Sequence, residues 1–103
     1  MSYDMWFRCD CCERISEECN ITYNHAPTFK KLFGEDGIRS LYGKRAHEVA
    51  SIAKIAARDL MDIEGAEQLE EGWEPTKRNA MLALLRLATA ASKAGKNTIL
   101  NGD

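Results

Sequence analysis

The stretch "YDMWFRCDCCERISEECNITY", Tyr3 to Tyr23, decides whether this chain is all helical or mixed. Two short runs, YDMWFR at 3–8 and CNITY at 19–23, are rich in aromatic and β-branched residues. Between them lies the polar, turn-like CDCCERISEE. Such side chains suit a pleated, half-buried surface, and a polar connection between two such runs is the pattern of a β-hairpin.

Working outward, Pro27 breaks the second run and Thr28 caps a short helix, FKKLF, that ends at Gly34. GEDG then makes a turn, and IRSLYG makes one helical turn closed by Gly43. Residues 45–63 form the first long helix, because Val49, Ile52, Ala53, Ala56, Leu60 and Ile63 recur at spacings of three and four opposite Glu48, Lys54 and Asp62. EGAEQLEEG is an acidic connection. A second long helix spans 74–94, with Pro75 suited to its first turn and Gly95 as its stop. In the tail 95–103, NTIL can add a strand to the hairpin. The expected fold is α+β, in one domain covering 1–103. A Cys-containing hairpin (1–25) and an irregular segment with short helices (26–44) pack on the two long helices.

The second long helix is apolar around most of its circumference, through Met81, Ala83, Leu84, Leu85, Leu87, Ala88 and Ala91. Asn79, Arg86 and Lys93 leave a narrow polar strip. A helix apolar on most sides is buried on most sides. Leu84 and Leu85 are therefore expected among the most buried residues. Two readings follow, a central helix inside a monomer or a homo-oligomer formed through 74–94.

Fourteen basic residues against sixteen acidic ones give a net charge of -2, which argues against a generic nucleic-acid binder. The cluster Lys30, Lys31, Arg39, Lys44 and Arg45 is a solvated charged surface or a local basic patch. The longest apolar-rich run, NAMLALLRLATAA, is interrupted by Arg86 and is shorter than the roughly 20 residues that cross a bilayer. The opening MSYDMWFRCD lacks the layout of a signal peptide, so a cytoplasmic protein is expected.

All four cysteines lie between positions 9 and 19. Cys9 and Cys12 form a C-x2-C pair, and with Cys19 and His25 they would supply a soft, tetrahedral donor set for a structural zinc ion. Cys11 is a spare thiol. The alternative is four small half-buried thiols without a metal. Catalysis is not expected: His25 and His47 stand in no nucleophile motif, no serine lies in G-x-S-x-G, and neither a P-loop nor G-x-G-x-x-G occurs.

The run NITYNHAPTFKKLFGEDGIRSLYGKRAHE, followed by WEPTKRNAMLALLRLATAASKAGKNTILNGD, resembles a family of small, uncharacterised bacteriophage and prophage proteins. Members share an N-I/V-T-Y/H-N element, a G-I-R-x-L-x-G-K/M segment, a W-x-x-T-x-x-N-A helix and a G-D ending. The resemblance covers residues 20–103, and the first 19 residues, cysteines included, depart from it. It implies a phage accessory protein working in the host cytoplasm. Such a protein would bind and block a host defence protein, or sequester a nucleotide second messenger.

The residues give that reading a location. Asn20, Thr22 and Asn24 alternate along an extended segment and so share one face, while Ile21 and Tyr23 turn to the core. Across the GEDG turn, Arg39, Tyr42 and Lys44 bring a guanidinium, a ring and an ammonium to the same region. The six can hold an anionic, aromatic small molecule. They can equally form a network that fixes an irregular loop. The other functional reading is a zinc-stabilised regulatory module acting on nucleic acid or the transcription machinery through Cys9–His25 and the basic cluster.

Overall fold

The computed structural model describes residues 2–9, 14–61 and 76–103. Strand β1 (Ser2–Cys9) is the middle strand of a three-stranded antiparallel sheet of order β2-β1-β3, with β2 (Ile15–Thr22) and β3 (Thr98–Gly102) on either side. Side chains alternate along β1. Tyr3, Met5 and Phe7 are buried, Asp4 and Arg8 are exposed and Trp6 is half-buried. The register Tyr3↔Ile21, Met5↔Cys19 and Phe7↔Leu100 places Ile21, Cys19 and Leu100 on the same buried face.

The sheet is therefore the expected hairpin plus a C-terminal strand, with longer strands than the propensities suggest. Much of CDCCERISEE is strand: Ile15–Glu18 belong to β2. The register shifts between Phe7 and Arg8, since Phe7 faces Glu17 and Arg8 faces Ile15, which leaves Ser16 as the extra residue of a bulge. At the opposite end the strand stops earlier than expected. Thr22 accepts a hydrogen bond from the Asn24 amide at 3.3 Å and opens a 3-10 turn over Tyr23–His25, so the alternation that Asn20 begins ends at Thr22.

Helix α1 (Ala26–Phe33) starts ahead of the expected Thr28 cap. Pro27 sits in its first turn, where a residue without an N–H costs nothing because those amides have no partner inside the helix. It ends as expected at Gly34, whose φ of 95° is a left-handed conformation suited to glycine. A second 3-10 turn, Gly37–Leu41, follows, and the chain then runs along the outer edge of β3. The Gly43 amide donates to the Leu100 carbonyl at 2.8 Å, and the Leu100 amide donates to the Lys44 carbonyl at 2.9 Å.

Helices α2 (Ala46–Met61) and α3 (Lys77–Lys93) make the most extensive contact between any two elements, and α3 also packs on β2. The buried positions of the two helices are largely small side chains, including Ala50, Ala53, Ala57, Ala80, Ala83, Ala88 and Ala91, with Leu84 and Leu87 fully enclosed. The expected end of the first helix at Ile63 and the place of Pro75 lie outside the described residues. Thr76 is the N-cap of α3, and its hydroxyl accepts from the Asn79 amide at 3.1 Å. Two expectations for α3 are corrected. Leu85 is 37% exposed and Asn79 only 2%. The open strip of this helix runs through Leu85, Arg86, Thr89, Ser92 and Lys93, because the remaining faces are occupied by α2 and the sheet.

Candidate functional site

The end of the sheet where β1 begins collects polar and aromatic groups from five parts of the chain. Tyr3 comes from β1 and Tyr23 from the first 3-10 turn. Their rings meet edge to face, with centroids 4.6 Å apart. The second 3-10 turn delivers Arg39, whose guanidinium carbon lies 5.0 Å from the Tyr3 ring centroid and 5.7 Å from that of Tyr23. Arg39 Nε donates to the Asp103 carbonyl at 3.1 Å, and one terminal nitrogen donates to the Tyr23 hydroxyl at 3.3 Å. Arg39 is exposed. A guanidinium carries five N–H groups, and those beyond these two bonds make no hydrogen bond among the described residues.

Asp103 ties the cluster to the strands. Its amide donates to the Asp4 carbonyl, and its carboxylate accepts from the Asp4 amide, both at 3.3 Å. The Asp4 carboxylate in turn accepts from the Ser2 hydroxyl at 3.0 Å and from the Asn20 side-chain amide directly across the hairpin. A continuous path thus runs from Asn20 through Asp4 and Asp103 to Arg39 and Tyr23.

Tyr42, immediately after the second 3-10 turn, completes the group. Its ring end lies against Gly102, so close that a Cβ there would overlap the phenol. Its hydroxyl is enclosed and makes no hydrogen bond among the described residues. Burial pushes the Tyr42 phenol up to about 12. Arg39 opposes that shift, while Asp103, Tyr23 and Tyr3 reinforce it. The Tyr3 phenol is also raised, first by burial, with Arg39 pulling the other way.

Of the six residues expected to line a site, the structure links Asn20 and Arg39 through this path and sets Tyr42 within the electrostatic reach of Arg39. Thr22 is used as the cap of the first 3-10 turn, and Asn24 is exposed within it, off the strand face. Lys44 contributes its backbone to the β3 edge. Tyr3, Asp4, Tyr23 and Asp103 join the cluster without having been singled out. Tyr3 pairs with Ile21, and Tyr23 follows the last paired residue, Thr22, so the meeting of the two rings is visible only once the hairpin register is known.

The expected zinc ligands do not converge. Cys19 faces Met5, and Cys9 is four residues further along β1, about 13 Å away at the rise of a strand. His25 lies past the other end of the hairpin, buried with its ring 5.8 Å from that of Phe29. Ligands of one zinc ion must each lie about 2.0 to 2.3 Å from it, which these three positions do not allow. Cys12 lies outside the described residues, among which no group of three His, Cys, Asp or Glu side chains suits a metal ion. The Cys19 sulfur instead accepts a hydrogen bond from Arg86 at 3.5 Å. Comparison with protein-family models, with curated proteins and with solved structures finds no match to this chain.

Proposed function

We propose that this chain is a binding protein rather than a catalyst, and that Arg39 is the centre of its binding site. One observation carries the reading. An exposed guanidinium is held against a pair of tyrosine rings and fixed by two hydrogen bonds, yet keeps N–H groups open to solvent. A guanidinium held in this way is preorganised for bidentate bonds to a phosphate or carboxylate, so little side-chain entropy is lost on binding. The half-buried Tyr23 ring beside it adds aromatic surface, which suits an anion carrying an aromatic base.

Together with the resemblance to phage proteins, this favours an accessory factor that interferes with host defence by sequestering a nucleotide second messenger. A host defence protein presenting an acidic or phosphorylated group would be met by the same chemistry. Native mass spectrometry of the protein purified from defence-active cells tests the reading. A retained nucleotide-sized anion is expected with the wild type and absent with Arg39→Ala, while Glu48→Ala, at an exposed position of α2 outside the cluster, retains it. A phage-protection assay in which Arg39→Ala works as well as the wild type, with no small molecule retained by either, would overturn it.

A further inference from the structure

Helices α2 and α3 open a groove of about 550 Å³ on the surface, lined by Lys54 from α2 and by Leu85, Ala88, Thr89, Ser92 and Lys93 from α3. It shares no residue with the Arg39 cluster. Its lining is mostly apolar. Leu85 is exposed and Ala88 lies beside it, and the Thr89 hydroxyl is turned back onto the Leu85 carbonyl at 2.9 Å. Ala88 and Thr89 each lie about one helical turn before Ser92, and these small side chains leave room for larger side chains from outside. Lys54 and Lys93 are both exposed, and neither forms an ion pair among the described residues.

Charge identifies the occupant. The sequences of α2 and α3 hold six Lys and Arg residues, Lys54, Arg58, Lys77, Arg78, Arg86 and Lys93, against two acids, Glu48 and Asp59. The whole chain is nonetheless -2. The two helices are thus net positive in a chain that is net negative. We infer that the groove is the docking site for an amphipathic α-helix of a partner protein whose apolar stripe is flanked by acidic residues. Apolar anchors at helical spacing would enter between α2 and α3, and the flanking carboxylates would meet Lys54 and Lys93.

A second copy of this chain fits poorly, because the same groove facing itself brings Lys54 and Lys93 toward their equivalents. A nucleic-acid backbone fits poorly as well, because Leu85 and Ala88 offer phosphate no donor.

The test uses the full chain and two fluorescent helical peptides of about 18 residues, with leucines at i, i+3, i+4 and i+7 and either glutamates or lysines elsewhere. Anisotropy titrations should show the acidic peptide binding and the basic one weaker by about tenfold or more. Lys54→Glu combined with Lys93→Glu should weaken the acidic peptide by about tenfold, and Leu85→Asp should do the same. Thermal melts of these variants should match the wild type, since all three side chains are exposed.

Equal binding of both peptides would overturn the inference, as would no binding of the acidic peptide at about 100 μM or no effect of the double charge reversal. A wild-type dimer dissolved by Leu85→Asp would assign the groove to self-association instead. Duplex DNA that displaces the acidic peptide would assign it to nucleic acid.

Discussion

The Tyr42 hydroxyl is enclosed with no hydrogen-bond partner among the described residues, a state that ordinarily costs stability. Tyr42→Phe removes that cost, so the variant should be as stable as the wild type or more stable by up to about 1 kcal/mol in urea unfolding. If the hydroxyl serves a ligand, the same variant should retain less of it in native mass spectrometry. The pH dependence has a definite sign. The folded value of about 12 exceeds the ordinary 10.0, so the neutral phenol is favoured by folding. That contribution is complete below about pH 10 and is lost as the pH rises toward 12. Between about pH 9 and 11.5 the wild type should therefore lose more stability than Tyr42→Phe. Gly102→Ala should cost about 1 to 3 kcal/mol, because its methyl would strike the Tyr42 ring. A double-mutant cycle with Tyr42→Ala should show the two changes coupled. At this scale the approach of Arg39 and Tyr42 to the Asn20 end of the hairpin was legible, since the GEDG turn folds the chain back toward it. The partners Asp4 and Asp103 were not, because they meet through the pairing of β1 with β3, and local pattern carries no register between strands so far apart.

Among the elements, α3 shows how a correct type leaves the orientation open. Its apolar residues are so numerous that periodicity places a helix without saying which side is free. Leu84 and Leu85 look alike in the sequence, but Leu84 is enclosed and Leu85 lines the groove. Leu84→Ala should cost about 2 to 5 kcal/mol through the cavity it leaves. Leu85→Ala should cost less than about 1 kcal/mol. Similar losses at both sites in chemical denaturation would contradict this placement. The hairpin was legible from its aromatic and β-branched runs. Its ends were not, because Thr22 serves as a cap rather than a strand residue, and Ile15 to Glu18 join a strand through pairing that outweighs their polarity. The Cys9, Cys19 and His25 set looked compact in sequence. Extended strands spread it out, since four strand residues separate groups by about as much as eight or nine helical ones.

For the whole molecule, the class α+β followed from a hairpin pattern beside two long helical patterns, while the central place of β1 did not. That arrangement brings together the two ends of the 103 residues: a hydrogen bond joins Asp4 and Asp103 across 99 positions, and Met5 faces Gly102. Closing so long a loop is entropically expensive and slows folding. The order β3-β1-β2 would become a simple meander if residue 103 were joined to residue 2 by a short Gly/Ser linker and the chain opened between Glu35 and Asp36, in the exposed turn after α1. Such a circular permutant should refold faster than the parent in stopped-flow measurements, at similar equilibrium stability, because its most distant strand pairing has become a local one.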